Sequence, residues 1–398
     1  MHDTDIWCAG AVRPESASVL RSDDGHDPGG VRKTVSGDGR GAVRAGGAWR
    51  DGGVSPPGVA QQHSGAILGG GQRASGTGRA DGGVVGPVGG DECVAGPDFE
   101  LTPPHGGYAW WYIDALSDDG ASGITLIAFL GSVFSPYYAW ARRFGRADPM
   151  RHCALNVAVY GKRKRWAMTE RGTVHRGSEF LRIGPSALHW DGTALMVQID
   201  EVTVPVPRRI RGTVRLYPLA LENRTLALDD AGLHLWQPIA PCARVEVDLQ
   251  TPAQRWSGFG YFDTNRGARP LEADFVRWDW GRARVGSGTA VLYDVQRRDG
   301  RLALGMRYND AGGVVDFVAP PAVSLPRTRW GVRRNVCAPG SAVVETLEDT
   351  PFYARSLIAA EILGAPVTML HESVALDRFA SPAVQAMLPF RMPRSWKS

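Results

Sequence analysis

The stretch WSGFGYFD, residues 256–263, has the alternation of side chains that is typical of a β-strand. One face of such a strand carries Trp256, Gly258, Gly260 and Phe262, and the other carries Ser257, Phe259, Tyr261 and Asp263. The carboxyl group of Asp263 therefore shares its face with two aromatic rings. A structural interpretation is that Asp263 begins a turn in DTNRG, where Asp and Asn side chains bond nearby backbone. A functional interpretation is that the apolar neighbours hold this carboxyl group in its neutral form.

Segments of the same kind recur from about residue 106 onward, and helical periods are scarce. They are YAWWYID (108–114), GITLIAFL (123–130), CALNVAVY (153–160), RWAMTE (165–170), ALHW and ALMVQID around Asp191-Gly192, TVRLYPL (213–219), DFVRWDWGRARV (274–285), and LYDVQRRDGRLALGMRY with Asp299-Gly300 at its tip. This spacing predicts an all-β fold, and its length indicates two antiparallel sheets or barrels. Small barrels of this type can hold one elongated apolar ligand, as lipocalins do.

We therefore expect two lipocalin-like β-barrel domains, residues 101–238 and 239–398, with the proline-rich stretch 237–241 as their seam. Residues 1–100 differ from them and hold 24 of the 50 glycines. This segment has few bulky apolar residues and no period of 2 or 3.6, which predicts a disordered tail. The N-terminus also lacks the basic start and apolar block of a signal peptide, so no export is expected.

The charge and the cysteines restrict the classes of function. Residues 99–398 carry 36 Lys or Arg against 29 Asp or Glu. This balance fits an anionic membrane surface or plain solubility, and it is too small and dispersed to indicate nucleic-acid binding. The cysteines have no CxxC or CxH spacing, so we expect free thiols in a reducing compartment and no metal site. They are Cys8, Cys93, Cys153, Cys242 and Cys337.

One uncharged segment, residues 120–141, is nearly long enough for a membrane-spanning helix. Glycines, serines and Pro136 interrupt its apolar content, so we expect the buried strand ITLIAFL rather than a spanning helix. The sequence SPYYAW (135–140) is predicted to be an aromatic loop that contacts lipid or covers a pocket.

Several long blocks resemble the carotenoid 1,2-hydratases of purple and related bacteria. They are GGYAWWYIDALSDDGASGITLIAFLGSVFSPYYAWAR (106–142), HCALNVAVYG (152–161), RWAMTERG (165–172), HLWQP (234–238), GFGYFDTNRG (258–267), PFYARS (351–356) and HESVALDRFASPAVQAMLPFRMP (371–393). Residues 1–98 show no such resemblance. The family resemblance implies a two-barrel fold and cofactor-free addition of water across the terminal C1=C2 double bond of acyclic carotenoids such as neurosporene and lycopene. The 1-hydroxy products would lead to spheroidene or spirilloxanthin pigments.

The resemblance also implies the residues of the site. The essential residues of the family fall on His234, Trp236, Tyr261 and Asp263. We expect further contacts with the carotenoid from Trp110, Tyr137, Tyr138, Trp256 and Phe259, and weaker candidates are Asp114, His152 and Asn156. No cofactor is expected.

Hydration of such an alkene begins with a proton delivered to C2, and water then captures the tertiary carbocation at C1. A normal Asp is protonated in about one molecule in a thousand at pH 7, so the pKa of Asp263 must rise by about three units, roughly 4 kcal/mol. A ring of Trp236 or Tyr261 over the cation would contribute on the order of 2 kcal/mol. We expect His234 to hold the water and take its proton, with Tyr261 as the alternative.

A C40 hydrocarbon resides in the bilayer, so we expect a protein peripheral on the cytoplasmic side of the inner or intracytoplasmic membrane. The KRKR run (162–165) is either a solvated hairpin tip or a contact for anionic lipid. The C-terminal FASPAVQAMLPFRMPRSWKS is either an interfacial element or a segment packed on a barrel. Two other functions stay open from the sequence: a pericyclase on the same scaffold, and a carotenoid-binding protein without catalysis.

Overall fold

The structure, a computed structural model, describes residues 96–395. The disordered tail predicted for residues 1–100 therefore lies outside the described residues, apart from its last few positions. Phe99, one of these, is buried, and its ring centroid lies 5.3 Å from that of Trp111. The described residues build an all-β fold, as predicted.

Twelve strands of the described chain form one antiparallel sheet. They are β1 (Tyr108–Ser117), β2 (Gly123–Leu130), β3 (Cys153–Tyr160), β4 (Arg165–Arg171), β5 (His175–Gly177), β6 (Phe180–Ile183), β7 (Ser186–Trp190), β8 (Leu195–Val202), β9 (Arg209–Pro218), β10 (Leu226–Ala227), β11 (His234–Thr251) and β12 (Ala253–Gly267). Their order is β4-β3-β2-β1-β12-β11-β9-β8-β7-β6-β5, and β10 pairs with β11. The sheet curls on itself, since Arg171 of β4 donates to Glu201 of β8 over 2.7 Å.

Seven strands of the described chain form a second antiparallel sheet in the order β16-β15-β14-β13-β21-β20-β19. They are β13 (Phe275–Arg284), β14 (Gly288–Arg297), β15 (Arg301–Asn309), β16 (Val314–Phe317), β19 (Ala342–Asp349), β20 (Tyr353–Ile362) and β21 (Ala365–Ala375). A short hairpin of β17 (Val323–Leu325) and β18 (Arg334–Val336) pairs separately. These large, curled antiparallel sheets confirm the predicted fold class.

The two Asp-Gly pairs lie at turns, as predicted. Asp191 donates its backbone N–H to the carbonyl of Ala194 over 3.2 Å, between β7 and β8. Arg297 donates to the carbonyl of Gly300 over 2.9 Å, between β14 and β15. Gly192 has φ of 92°, a backbone conformation that side chains with a Cβ rarely adopt.

Helical elements are short. They are α1 (Pro136–Arg143), the 3₁₀ turn η1 (Pro149–Arg151), α2 (Leu271–Asp274), α3 (Leu376–Phe379), α4 (Pro382–Met387) and the 3₁₀ turn η2 (Leu388–Phe390). The loop predicted for SPYYAW is wrong, because most of it lies in α1. Ser135 is the N-cap, and its hydroxyl accepts from the N–H groups of Tyr137 and Tyr138 over 3.1 and 3.3 Å. Pro136 at the first helical position favours the same start.

Strand β12 shows the predicted alternation. Phe262 packs into the core inside the first sheet, and Tyr261 packs into a cluster on the other face. The turn interpretation of DTNRG is wrong, because β12 continues to Gly267. It pairs with β1 on one side and with β11 on the other as far as that residue, so these positions have no freedom to turn.

The predicted domain boundary between residues 238 and 239 falls inside β11. The pairing of β11 with β12 shifts register between Pro238 and Ala240 and again between Ala240 and Ala243, yet it continues on both sides. The proline-rich stretch 237–241 is therefore an irregular part of one strand. The chain passes from the first sheet to the second between Gly267 and Phe275. The division into two domains stays a prediction.

An aromatic layer lies between the two sheets. Ring centroids of Trp236 on β11 and Tyr293 on β14 are 5.1 Å apart, and those of Trp110 on β1 and Trp278 on β13 are 6.3 Å apart. This layer covers the face of β12 that carries Asp263, so the fold places that carboxyl group between the sheets rather than in the core of either one.

Two further predictions concern the cysteines and the uncharged segment 120–141. Cys153, Cys242 and Cys337 are free and buried, whereas Cys8 and Cys93 lie outside the described residues. Among residues 96–395, no helix combines the length and the apolar character needed to cross a bilayer.

Candidate active site

A row of directly opposed residues crosses the first sheet from Asp263. Asp263 pairs with Tyr112, Tyr112 with Ile127, Ile127 with Asn156, and Asn156 with Met168. Residues opposed in this way project from the same face of an antiparallel sheet. Because neighbouring strands lie about 4.8 Å apart, the row is about 19 Å long. All five side chains therefore lie along one line beneath the second sheet.

The carboxyl group of Asp263 has two unequal oxygens. Oδ2 accepts the indole N–H of Trp236 over 2.8 Å and the hydroxyl of Tyr261 over 2.9 Å. Oδ1 is buried and has no hydrogen-bond partner among the described residues. Asp263 is only 4% exposed, and both donors are fully buried. The site thus holds one oxygen firmly and leaves the other available.

Burial raises the pKa of Asp263 to about 8, because the interior disfavours the charged carboxylate. The hydrogen bonds from Trp236 and Tyr261 act in the opposite direction, since they stabilise the carboxylate. The negative charges of Glu372 and Asp114 raise the pKa further. The carboxyl group of Asp263 is therefore protonated for most of the time at pH 7, which is the form that protonation of an alkene requires.

Aromatic rings enclose the acid on the side of the second sheet. Tyr261 lies 5.1 Å from Trp280, measured between ring centroids, and Tyr112 lies 5.4 Å from the same ring. Tyr293 packs against Trp236. Burial raises the pKa of Tyr261 well above its ordinary value, so its hydroxyl keeps the proton that it donates.

His234 is not at the carboxyl group of Asp263. It pairs with Gly267, four positions further along β12, which corresponds to about 13 Å of strand. Its Nδ1 lies 2.9 Å from the hydroxyl of Tyr108, and its Nε2 lies 2.9 Å from Oδ2 of Asp274. Both ring nitrogens are thus engaged, and the geometry favours a role in positioning over capture of a water at Asp263.

Two buried ion pairs lie next to the acid, and the hydroxyl of Tyr112 joins them. This hydroxyl lies 2.9 Å from Oδ2 of Asp114 and 2.6 Å from Oε1 of Glu372. Asp114 accepts from Nε of Arg282 over 2.5 Å, and Glu372 accepts from Nε of Arg355 over 3.0 Å. The network orients the ring of Tyr112 and connects the two sheets.

An apolar cavity opens between the sheets at the far end of the row. Its outer part has a volume of about 430 Å³ and its inner part about 50 Å³. The two parts share the wall residues Trp166, Glu348, Thr350, Phe352 and Met392. The inner part reaches Ile127, Asn156 and Met168, which belong to the row. Tyr112, the next residue of the row, separates this inner end from Asp263.

The residues expected to contact substrate are dispersed. Trp110 is buried in the aromatic layer, with its ring 4.9 Å from that of Tyr108. Phe259 is on the face of Asp263 but lies toward the rim, between the guanidinium groups of Arg244 and Arg284 at 4.5 and 4.2 Å. Trp256 is on the opposite face of β12 and packs against the core inside the first sheet.

The two tyrosines of α1 are also away from the acid. Tyr138 is buried, donates its hydroxyl to the carbonyl of Gly107 over 2.6 Å, and packs against His152 at 4.8 Å. Tyr137 is half-buried and packs against Trp140. Of the weaker candidates, Asn156 lines the inner cavity, Asp114 belongs to the ion-pair network, and His152 pairs with Glu170 over 2.9 Å.

Sequence reasoning missed several residues of the site. Tyr112 alternates with Trp110 and Asp114 in YAWWYID, and this pattern could have found it. Arg355 and Glu372 lie in PFYARS (351–356) and HESVALDRFASPAVQAMLPFRMP (371–393), two of the blocks that carry the family resemblance, which is a second usable signal. No sequence signal connects Asp114 with Arg282, which is 168 positions away on the other sheet.

The chain matches a known protein family and full-length relatives. A family model described as "Carotenoid hydratase CrtC" matches residues 126–398. The chain is 53% identical over 402 residues to an acyclic carotenoid 1,2-hydratase of Thiocapsa roseopersicina, covering 99% of each chain. It is 52% identical over 393 residues to the acyclic carotenoid 1,2-hydratase of Rubrivivax gelatinosus, covering 96% of this chain and 97% of that one.

A third relative is shorter. The acyclic carotenoid 1,2-hydratase of Cereibacter sphaeroides is 42% identical over 276 residues, which are 68% of this chain and 98% of that one. The Thiocapsa alignment, in contrast, extends over 99% of this chain and so includes most of residues 1–98. The expectation that these residues resemble nothing among such proteins is therefore wrong.

Proposed function

Because this chain belongs to the carotenoid hydratase family CrtC, we propose that it is an acyclic carotenoid 1,2-hydratase that adds water across the terminal C1=C2 double bond. It is a hydro-lyase, and its substrates are acyclic carotenoids such as neurosporene, lycopene and their derivatives. The products are 1-hydroxy carotenoids, which lead to pigments of the spheroidene and spirilloxanthin type. The site geometry supports a mechanism of acid catalysis, in which Asp263 is the acid.

The single observation that carries this mechanism is the asymmetry of the Asp263 carboxyl group. The indole N–H of Trp236 can only donate, so Oδ2 is the acceptor of that bond. The proton of the neutral acid therefore belongs on Oδ1, which has no partner among the described residues. A buried acid with a pKa of about 8 and a free O–H is suited to protonate an alkene.

The proposed reaction balances without a cofactor. Oδ1 of Asp263 gives its proton to C2, and the electron pair of the double bond forms the new C–H bond. The oxygen of a water molecule then forms a bond to the cationic carbon C1. This oxygen then loses one proton to the Asp263 carboxylate, which restores the neutral acid. The net change is one water added and one double bond lost.

Each charge that develops has a partner in the site. The carboxylate formed by proton transfer keeps the bonds from Trp236 and Tyr261, and such charge-assisted bonds are about twice as strong as neutral ones. The cation at C1 would face aromatic rings such as those of Trp280 and Tyr261, which contribute on the order of 2 kcal/mol when desolvated. We assign His234 a positioning role through Tyr108 and Asp274.

The apolar cavity supports a route for the substrate. A carotenoid end that enters between Trp166 and Phe352 would travel along the row of cross-strand partners toward Asp263. The ring of Tyr112 stands at the inner end of this route and must move aside for the end of the chain to reach Oδ1. The remainder of a C40 chain extends beyond the cavity.

A position on the membrane surface fits this entry route. Phe390 of η2 lies between the wall residues Leu388 and Arg391, Phe144 directly follows α1, and both rings are 76% exposed. A hydrogen bond of 2.9 Å from Arg143 to Gln385 joins α1 to α4, the helix before η2. Exposed aromatic rings next to arginines are typical of segments that lie in the headgroup region of a bilayer. We propose peripheral contact with lipid there, on the cytoplasmic side of the inner or intracytoplasmic membrane.

The direct test is the origin of the new hydroxyl. Purified protein is incubated with detergent-dispersed lycopene in H₂¹⁸O, without oxygen or added cofactor. The pigments are then separated by chromatography, and their masses are determined by mass spectrometry. The expected product is 1-hydroxylycopene carrying one ¹⁸O atom. Asp263→Asn keeps an acceptor oxygen for Trp236 but lacks the acid, so it should bind pigment and form no product.

Other outcomes would identify other functions. Unchanged lycopene recovered from a stable complex with the wild-type protein would indicate a carrier. An isomer without added oxygen, still formed by Asp263→Asn, would indicate a pericyclase.

A further inference from the structure

A group of arginines surrounds the loop 326–333, which joins β17 to β18. The loop is ordered by its own bonds, since Gly331 donates to the carbonyl of Thr328 over 2.9 Å and Val332 donates to its hydroxyl over 3.1 Å. Asp349 accepts the backbone N–H of Arg329 over 2.8 Å from the second sheet. The backbone of the loop is therefore ordered, and it places Arg327 and Arg333 at its two sides.

Two adjacent cavities of about 520 and 370 Å³ lie beside this loop. Arg277, Arg327 and Arg333 line both of them. Arg378 lines the first and Arg334 lines the second, so five guanidinium groups surround the pair of cavities, which we call the arginine pocket. Asp377 is the one carboxylate among the wall residues of the described chain.

None of the five arginines forms an ion pair with another residue in the range 96–395. Arg334 is only 4% exposed, and it donates to neutral oxygens alone: the carbonyl of Pro326 over 2.8 Å and the hydroxyls of Thr346 and Ser356 over 3.0 and 2.9 Å. The carboxylate of Asp349 acts on this charge from a distance, while it accepts the backbone N–H groups of Arg329 and Trp330, so it offsets only part of the cost of burying Arg334. Arg327 and Arg333 are exposed and have no hydrogen bond to any other described side chain.

We infer that the arginine pocket binds a phosphate group. Several guanidinium groups around one cavity match a doubly charged tetrahedral anion, because each can donate two parallel N–H groups to phosphate oxygens. An anion there would neutralise the buried charge of Arg334. The function proposed above requires no anion, so this site is additional to it.

The position of the loop favours the headgroup of an anionic phospholipid as the source. Trp330, between Arg327 and Arg333, is 48% exposed and lines the outer part of the apolar cavity. Arg378 donates to the carbonyl of this same residue over 2.8 Å. One loop thus forms a wall of the carotenoid entrance and a wall of the arginine pocket. This choice of source rests on the proposed function, whereas binding of phosphate does not.

The first arm of the test measures phosphate itself. The melting temperature of the full-length protein is recorded with 10 mM sodium phosphate and with sodium chloride of equal ionic strength at the same pH. A ligand near tenfold its dissociation constant should raise the melting temperature by about 2 °C or more. The double variant Arg327→Gln/Arg333→Gln should lose this rise. The control Arg211→Gln/Arg215→Gln removes two exposed charges from the first sheet and should keep it.

The second arm separates lipid from free phosphate. Sedimentation with vesicles of phosphatidylcholine containing one-fifth phosphatidylglycerol is compared with pure phosphatidylcholine. The wild type and the control should bind the anionic vesicles several-fold better than Arg327→Gln/Arg333→Gln does. Equal vesicle binding by all three, with the phosphate effect present, would assign the site to soluble phosphates. An equal phosphate response in the wild type and the double variant would refute the site.

Hydration of detergent-dispersed lycopene provides the independent readout. The double variant should retain the wild-type rate in detergent, because its residues lie outside the acid site. Loss of the phosphate effect with full hydratase activity would support the inference. A protein that binds phosphate yet does not hydrate lycopene would overturn the proposed function and leave the arginine pocket established.

Discussion

The indole N–H of Trp236 donates to Oδ2 of Asp263 over 2.8 Å, from a fully buried ring to an acid that is 4% exposed. Such a bond is stronger when the acceptor is charged, so it stabilises the carboxylate that exists after proton transfer more than the acid that exists before it. The pKa of about 8 reflects the balance between this bond and burial. The site thus keeps the proton at pH 7 and still lowers the energy of releasing it.

Activity should decline in alkaline solution. Asp263 acts in its protonated form, and its pKa is about 8, so kcat/KM should be level below pH 7 and fall about tenfold per pH unit above pH 8. Initial rates with detergent-dispersed lycopene between pH 5.5 and 10 measure this fall, which we call the alkaline limb of the pH profile. A rate that rises through pH 8 would show that the carboxylate is the active form and would exclude Asp263 as the acid.

Removing either donor to Oδ2 should shift this limb. In Trp236→Phe and Tyr261→Phe the carboxylate loses one charge-assisted bond, so the pKa of Asp263 rises and the limb moves to higher pH. The pH-independent value of kcat/KM below pH 7 should fall about 10- to 100-fold, since such a bond contributes about 1.5–3 kcal/mol. Trp280→Phe is the matched control for the pH of the limb: its indole N–H has no partner among the described residues, so the limb should stay at its wild-type pH while the smaller ring over the cation lowers the rate. An unchanged limb in both donor variants would contradict the assigned bonds.

The same pKa predicts a pH-dependent stability. The unfolded acid titrates near its ordinary value, whereas the folded acid keeps its proton up to about pH 8. The folded state therefore binds more protons between about pH 4 and pH 8, and stability falls as pH rises through this window, by up to about 1.4 kcal/mol per unit.

Urea unfolding of the wild type and of Asp263→Asn at pH 5, 6, 7 and 8 tests the prediction. The difference between the two free energies of unfolding isolates Asp263 from other acids, such as Asp279 with its pKa raised by burial to about 7. Parallel stability profiles would show that residue 263 has an ordinary pKa in the folded protein.

Replacing His234 should affect the stability of the fold more than the pKa of Asp263. His234→Gln loses at least one of the bonds to Tyr108 and Asp274, which should lower the free energy of unfolding by about 1–3 kcal/mol. The rate should fall while the alkaline limb stays at its wild-type pH. Urea unfolding and the pH profile measure the two effects. A displaced limb with unchanged stability would instead give His234 a direct part in proton transfer.

The sequence predicts the strands better than their arrangement. Local pattern identifies β2 and β3 with correct bounds from their short apolar runs, and by alternation it places Tyr261 and Phe262 on opposite faces of β12. It fails at DTNRG, where pairing on both sides of β12 overrides the turn preference of Asp and Asn. It fails again at SPYYAW, where the cap by Ser135 and Pro136 outweighs the aromatic content that suggested a loop.

The site is predictable only as far as its local motifs reach. HLW and YFD contain Trp236, Tyr261 and Asp263, which the structure brings into contact. Tyr293 and Trp280 of the second sheet pack against Trp236 and Tyr261 of the first. These contacts arise because the two sheets pack together, although their strands are distant in the sequence. No local pattern encodes that packing. The separation of His234 from the acid depends on strand register, which alternation alone leaves open.

The exposed aromatic rings near the cavity mouth should determine membrane binding. Phe144 and Phe390 are each 76% exposed, so replacing both with Ser removes apolar area that would enter the headgroup region and leaves the core intact. Phe144→Ser/Phe390→Ser should sediment several-fold less with phosphatidylcholine vesicles than the wild type and should hydrate vesicle-embedded lycopene more slowly. Its rate with detergent-dispersed lycopene should stay unchanged, since neither ring touches the acid.

The control is Val206→Ser/Val318→Ser, which alters two other exposed apolar positions, 60% and 93% exposed, away from α1 and η2. If entry depends on apolar contact at the mouth, only the Phe144/Phe390 pair should separate the vesicle rate from the detergent rate. Equal losses in both double variants would show that general surface hydrophobicity, rather than this face, brings the protein to the bilayer. An equal loss in detergent and vesicles would place the defect in the fold, because the substrate in detergent requires no membrane contact.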